Sequence, residues 1–295
     1  MYRSMQHEPI VVAVDGSPHS DAAVEWAANE SRLRGASVTL VHVVEPMPGN
    51  SADRAASSNV DRWPAEDANT IVANAEATFR AAYGQPCHVN VQTAVLGSPI
   101  VSTLVDASAH AQLVVVGSRG HRVLGRLLLG SVSTGLIDQA HCPVAVIPSD
   151  EHHRAAHAAG PVVVGVDGTA TSESAIALAF DEAARRGAAL VAVHAWSDVG
   201  VLPVIGTDRW YDRQISASEL LAQCLAGWQE KYPDVHVIRR VICDVPAHAL
   251  HFEAQCSQLV VVGSRGRGGF AGMPLRAVGR AVVHAASVPV MVDRR

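Results

Sequence analysis

A long-period internal repeat decides the architecture of this 295-residue chain before any local pattern is weighed. Val11-Val12-Ala13-Val14-Asp15-Gly16-Ser17 recurs as Val163-Val164-Gly165-Val166-Asp167-Gly168-Thr169, and His42 recurs as His194, both displaced by 152 residues. Further along, Leu113-Val-Val-Val-Gly117-Ser118-Arg119-Gly120 returns as Leu259-Val-Val-Val-Gly263-Ser264-Arg265-Gly266, and Pro143-Val144 as Pro289-Val290, now displaced by 146. A length of 295 residues suits two domains of ordinary size. The repeat divides the chain into residues 1–150 and 161–295. The His- and Ala-rich stretch 151–160 is read as a solvated linker rather than a metal tract.

Within each copy, short β-branched runs alternate with longer helical patterns, the signature of βαβ units and of a parallel sheet covered on both faces. The first copy reads as strands at Ile10–Val14, Val38–Val43, Val89–Val95, Leu113–Gly117 and Val144–Ile147, with helices at Ser20–Arg34, Ala65–Tyr83, Ile100–His110 and Val132–Ala140. Ser17-Pro18 and Ser98-Pro99 are read as helix starts, since proline suits the first turn and serine can cap free N–H groups. The aperiodic stretch from Pro46 to Pro64 is read as a long loop.

Charge narrows the function classes. The net charge of −5 comes from interleaved acids and bases, with no basic stripe to follow a nucleic-acid backbone, so no nucleic-acid partner is expected. No apolar run reaches a membrane span, and the polar first nine residues lack the apolar core of a signal peptide, so no membrane association and a cytoplasmic location are expected. Lys231 is the sole lysine, which leaves phosphate binding to arginines, backbone N–H groups or a metal. The five cysteines are scattered without a CxxC pair and are read as reduced thiols.

Ligands of open parallel sheets bind at the carboxyl ends of the strands, where the strand order reverses. Asp15, ending the first strand, could meet ribose hydroxyls or a metal, or could simply be a turn residue. Gly117-Ser-Arg-Gly120 is followed by nine residues and then Gly130-Ser131. Glycines let the backbone approach phosphate, and the serine would open a helix whose N–H groups attract an anion. Arg119, Arg122 and Arg126 add a candidate electropositive collar. His42 and His194 could be acid–base groups, but a strand-end histidine beside valines is read as structural.

The run Gly117, Gly120, Gly130, Ser131 resembles the universal stress protein family, whose ATP-binding members carry this spacing, and the resemblance extends along both copies, to tandem two-domain members of actinobacterial type. It implies two doubly wound α/β domains, each with a five-stranded parallel sheet of order 3-2-1-4-5. It also implies ATP as ligand, with Mg2+. Carried over, the first site comprises Ala13, Asp15, Val43, Gly117, Ser118, Arg119, Gly120, His121, Arg122, Val123, Gly130, Ser131, Val132 and Ser133. The second comprises Gly165, Asp167, Gly263, Ser264, Arg265, Gly266, Arg267, Gly268 and Gly269. In that copy Arg276-Ala277 stands where Gly-Ser is expected, after Pro274, so weaker binding is expected there. Its run from Gly266 to Ala271 mimics a dinucleotide fingerprint, but it follows a late strand and is read as chance.

The chain lacks a GxxxxGK[ST] loop, a GxSxG elbow and an HExxH helix. The expectation is therefore a regulatory, non-enzymatic nucleotide binder acting on an unknown protein partner, with a slow ATPase and an assembly scaffold as alternatives. The resemblance also implies pairing through the last strands, within the chain and in a homodimer.

Overall fold

The computed structural model describes residues 8–45, 63–120, 129–149, 158–196, 207–264 and 276–294. The stretch 46–62 of the expected long loop lies outside them. The chain divides into two units, 1–149 and 150–295.

In the first unit the order is β1 (Ile10–Ala13), α1 (Pro18–Arg34), β2 (Val38–Val44), α2 (Trp63–Tyr83), β3 (Val91–Gly97), α3 (Ile100–Ser108), β4 (Leu113–Gly117), α4 (Ser131–Gln139) and β5 (Val144–Ile147). β1 pairs in parallel with β2 on one side and β4 on the other; β2 continues to β3 and β4 to β5. The order is thus 3-2-1-4-5, as the family resemblance implied. The second unit repeats it with β6 (Val162–Gly165), α5 (Ala170–Arg186), β7 (Leu190–Ala195), α6 (Asp208–Leu225), α7 (Trp228–Lys231), β8 (Val237–Ile242), α8 (Pro246–Ala254), β9 (Leu259–Gly263), α9 (Arg276–Ala285) and β10 (Val290–Asp293). Its pairing is again fully parallel: β6 lies between β7 and β9, with β8 and β10 outside them.

The central strands are apolar along their whole length because both faces are covered; Leu113–Val116 and Leu259–Val262 are buried throughout. The buried face of α1 is dominated by small residues, Ala22, Ala23, Ala27 and Ala28 at zero to 3% exposure, with Val24 beside them. Small side chains bring its axis close to β4. The larger core groups lie around it, with Phe79, Leu40, Leu104 and Leu113 fully buried, each contributing about 1.5–3 kcal/mol.

α1 starts and stops where its caps dictate. Ser17 accepts a hydrogen bond from the Ser20 N–H at 3.2 Å, Pro18 occupies the first turn, and Gly35, at φ 62°, closes the helix in the left-handed conformation. Ser98 does not cap α3: Pro99 is the capping residue, with no side-chain cap bond, and its carbonyl accepts from Ser102 Oγ at 3.1 Å and Thr103 Oγ1 at 2.9 Å. The third strand runs Val91–Gly97 rather than Val89–Val95, because its register follows β2 from Val38↔Val91 to Val44↔Gly97. On a half-exposed edge, apolar pattern alone does not fix register.

At the amino end of each sheet a buried ion pair repeats. Glu30 meets Arg34 and Glu182 meets Arg186, both one helical turn apart, with carboxylates fully buried. Gln112 Nε2 donates to the Glu8 carbonyl at 2.6 Å and Gln258 Nε2 to the Gly160 carbonyl at 2.5 Å, fixing the strand entry in each unit.

Candidate nucleotide site

Strand order reverses at β1, so the ends of β1 and β4 open a crevice above the sheet. Asp15 sits two residues past β1, where Gly16 turns the chain at φ 77°. Its Oδ1 accepts the Ser17 N–H at 3.0 Å, which locks the carboxylate against the start of α1. Its Oδ2 faces the loop after β4: a β-carbon on Gly120 would lie 2.7 Å from it. The sheet therefore brings Asp15 and the Gly117–Gly120 segment together.

That segment is held from three sides. Ser118 N–H donates to the Ile147 carbonyl at 2.9 Å, Gly130 N–H to the Ser118 carbonyl at 3.0 Å, and Ser133 Oγ to the Gly117 carbonyl at 2.8 Å. Gly130 caps α4 without a side-chain bond, and the first helical hydrogen bond is Thr134 N–H to the Gly130 carbonyl at 3.0 Å. The amides of Ser131, Val132 and Ser133 thus lie in the turn that a helix leaves to outside acceptors. Ser118 Oγ is buried there without a hydrogen-bond partner among the described residues.

Ala13 ends β1, and Val43 lies near the end of β2. Val41 gives its carbonyl to the Val14 N–H at 2.9 Å; two residues on, Val43 turns its backbone to the same side, beyond the end of β1. His121, Arg122, Val123 and Arg126 lie outside the described residues, as do Arg265, Gly266, Arg267, Gly268 and Gly269.

Gly117 has a different reason from the one the sequence suggested. A β-carbon there would stand 2.6 Å from the His19 carbonyl oxygen, 2.7 Å from its carbon and 2.9 Å from its Cβ, so glycine is required first by the approach of α1. Gly130 is roomier, with nothing nearer than 3.5 Å.

One residue at this site escaped the sequence reading. His19, in the first turn of α1, places Nε2 3.1 Å from Ser149 Oγ, with Asp15 and Arg119 as charged neighbours. Burial and then Arg119 lower its pKa below 6.5, against the opposing pull of Asp15. A lone histidine with no spaced partner gives no motif signal; the second repeat has Thr171 in its place.

Beside Asp15 a cleft of about 230 Å³ opens between α1 and α2, lined by Gly16, Ser20, Asp21, Ile71, Asn74, Ala75 and Thr78. The second unit differs here. Asp167 Oδ1 accepts from the Thr169 N–H at 2.9 Å and its Oγ1 at 2.7 Å, which repeats the turn. Gly168, at φ 78°, meets the methyls of Leu220: a β-carbon there would lie 2.9 Å from both. The register that sets buried Ala75 and Phe79 against buried Leu221 and Leu225 puts Leu220 where Asn74 stands. The turn of Gly168 is packed by leucine. Ser264 N–H donates to the Asp293 carbonyl at 2.9 Å, as Ser118 does to Ile147, but α9 opens on Arg276, without a glycine-serine start.

The strand-end histidines are structural in both units. His42 Nδ1 lies 2.7 Å from the Val14 carbonyl and His194 Nδ1 2.7 Å from the Val166 carbonyl. A carbonyl only accepts, so Nδ1 carries the proton. Among the described residues no group of three or more His, Cys, Asp or Glu side chains could hold a metal, and no helix is long and apolar enough to cross a membrane.

Residues 7–148 and 159–294 each match the sequence profile of the Universal stress protein family. The chain belongs to the universal stress protein family. It is 45% identical over 295 residues to a universal stress protein of Mycobacterium tuberculosis, the alignment covering 100% of both chains. It is 46% identical over 295 residues to one of Mycolicibacterium smegmatis, covering 100% of this chain and 99% of the relative. In fold it is similar to the crystal structure of a universal stress protein from Archaeoglobus fulgidus, with a TM-score of 0.69 and 18% identity over 98% of this chain and 96% of that one. Two family domains in tandem therefore account for the repeat, and within this universal stress protein the two crevices have diverged.

Proposed function

We propose that this universal stress protein is an ATP-binding regulator in which occupancy of the first crevice alters the loops above the sheet and so the binding of a protein partner. The observation that carries the reading is the convergence of three features at the switch point. They are the Asp15 carboxylate fixed by Ser17, the Gly117–Gly120 turn against it, and the α4 start capped by a residue with no side chain. The residues fit a nucleotide: the carboxylate suits ribose hydroxyls, and first-turn amides suit the charge of a phosphate chain. The unpartnered Ser118 hydroxyl adds a donor.

ATP would supply charge and hydrogen-bond acceptors, with Mg2+ accompanying its phosphates. The chain's own residues bind and orient it, and we read the protein as acting by binding rather than by catalysis. The second unit, with Leu220 against Gly168 and Arg276 opening α9, binds nucleotide more weakly. A cytoplasmic location and a homodimer complete the proposal.

Titration calorimetry with Mg-ATP tests it. One site of micromolar or better affinity, reduced at least about tenfold by substitution at Asp15, is expected, a change equivalent to about 1.4 kcal/mol. Multiple-turnover phosphate release above the buffer rate would turn the reading to an ATPase. Absence of any heat would leave a scaffold.

A further inference from the structure

The outermost strand of the first unit is an open edge. β3 runs for 7 residues, as long as β2, and among the described residues β2 is its only strand partner. The Val38 N–H donates to the Asn90 carbonyl at 3.0 Å, and Val38 lies opposite Val91. In a parallel ladder alternate residues turn their main chain to the neighbour, so Gln92, Ala94 and Leu96 face β2. Val91, Thr93, Val95 and Gly97 therefore hold their N–H and C=O groups outward, away from the sheet.

Such edges ordinarily carry a guard: a short strand, a charge or a proline. The matching strand of the second unit has one. β8 sets Arg239 and Arg240 side by side at its centre, both exposed and on opposite faces, with Arg240 3.6 Å from Glu253. β3 has none, for no residue from Val89 to Pro99 is charged and no proline lies within the strand. Val95 and Leu96, on opposite faces, are each 38% exposed, so both sides of this edge offer apolar surface for a further strand to cover.

We propose that β3 is the surface through which two copies of this chain pair, β3 against β3 in antiparallel order about a twofold axis at Ala94. The register follows from the outward groups. They meet only where odd-numbered residues oppose odd-numbered ones, and an axis at Ala94, the middle of the strand, pairs all of them: Thr93 with Val95 of the second copy and Val91 with Gly97, each pair exchanging both main-chain bonds. Ala94 then faces itself at a non-hydrogen-bonded position, where Cα atoms approach to about 4.5 Å and a small side chain fits best. Val95 is covered by a β-branched threonine and Leu96 by Gln92. An uncharged strand opposes itself without repulsion, whereas β8 about the same kind of axis sets arginine against arginine. The pairing gives the homodimer proposed above its interface and rests on that part of the reading, not on what the first crevice binds.

Sedimentation equilibrium on the full chain tests it, with wild type expected to be a dimer at about 10 μM. Thr93→Lys combined with Val95→Lys sets like charges opposite each other across the axis. Both positions are exposed, so circular dichroism is unchanged while the dissociation constant rises at least about tenfold. Thr93→Glu combined with Val95→Glu does the same. Mixed in equal amounts, the two variants pair with one another and dimer returns, because every lysine then faces a glutamate. Wild type that stays monomeric to about 100 μM overturns both the interface and the homodimer, and leaves the edge to an extended segment of another protein. A dimer that the lysine variant leaves at wild-type strength, or folded variants that do not recover on mixing, overturns this interface and leaves the homodimer to another surface.

Discussion

Replacing Gly117 by alanine separates packing from ligand binding at the first crevice. The new β-carbon would lie 2.7 Å from the His19 carbonyl carbon and 2.6 Å from its oxygen. Non-bonded carbons rest at about 3.5–4.0 Å, so the overlap approaches about 1 Å. Both obstructing atoms are main chain, fixed by the Ser17 cap and by the close seat of α1, and no rotamer relieves them. Overpacking costs about 1–3 kcal/mol, and a clash of backbone with backbone belongs in the upper part of that range. For a unit of this size about 2–3 kcal/mol corresponds to a fall of roughly 4–12 °C in Tm. Differential scanning calorimetry without nucleotide, on wild type, Gly117→Ala and Gly130→Ala, measures it. Gly130 has φ −62° and clear space, so its alanine variant loses no more than the roughly 1 kcal/mol of a cap preference. Equal melting of wild type and Gly117→Ala would refute the packing argument. Nucleotide loss in Gly117→Ala would then belong to the phosphate contact alone.

Three further outcomes follow from the same geometry. Asp15→Glu carries the carboxylate past its bond to Ser17 and towards Gly120, and Mg-ATP affinity measured by calorimetry should fall at least about tenfold, or about 1.4 kcal/mol. His19 holds its proton less tightly folded than unfolded, so acidification through 6.5 destabilises the ligand-free protein. A phosphate chain beside the ring reverses that preference, so ATP affinity should rise as pH falls from about 7.5 to 6, and His19→Thr should flatten both slopes in melting and calorimetric titrations run against pH. Glu182→Ala removes the carboxylate that faces the buried Arg186 and should cost about 3–5 kcal/mol by denaturant unfolding, whereas Glu182→Leu combined with Arg186→Leu should cost far less.

The repeat, the βαβ alternation and most helix starts were readable in the residues because parallel strands buried on both faces announce themselves as unbroken apolar runs. Ser17 acts as the cap its neighbours implied. Ser98 does not, because Pro99 already stands at the capping position and its carbonyl is bound by Ser102 and Thr103. The shift of β3 by two residues is set by β2, a partner about fifty positions away. Asp15 and the glycines were found through local motifs, but the reason for Gly117 lies in a helix a hundred residues upstream. His19 and the leucine against Gly168 had no motif to betray them. Each acquires meaning only from what the fold sets beside it.

The clip between each strand-end histidine and the first strand of its unit has one more consequence. Since Nδ1–H is committed to the carbonyl of Val14 or Val166, each ring ties the tip of its second strand to the residue just past the first. The spacing of the two strand tips at the edge of each crevice is thereby set by a side chain as well as by the sheet ladder, and the mouth keeps its width without help from the loops above it.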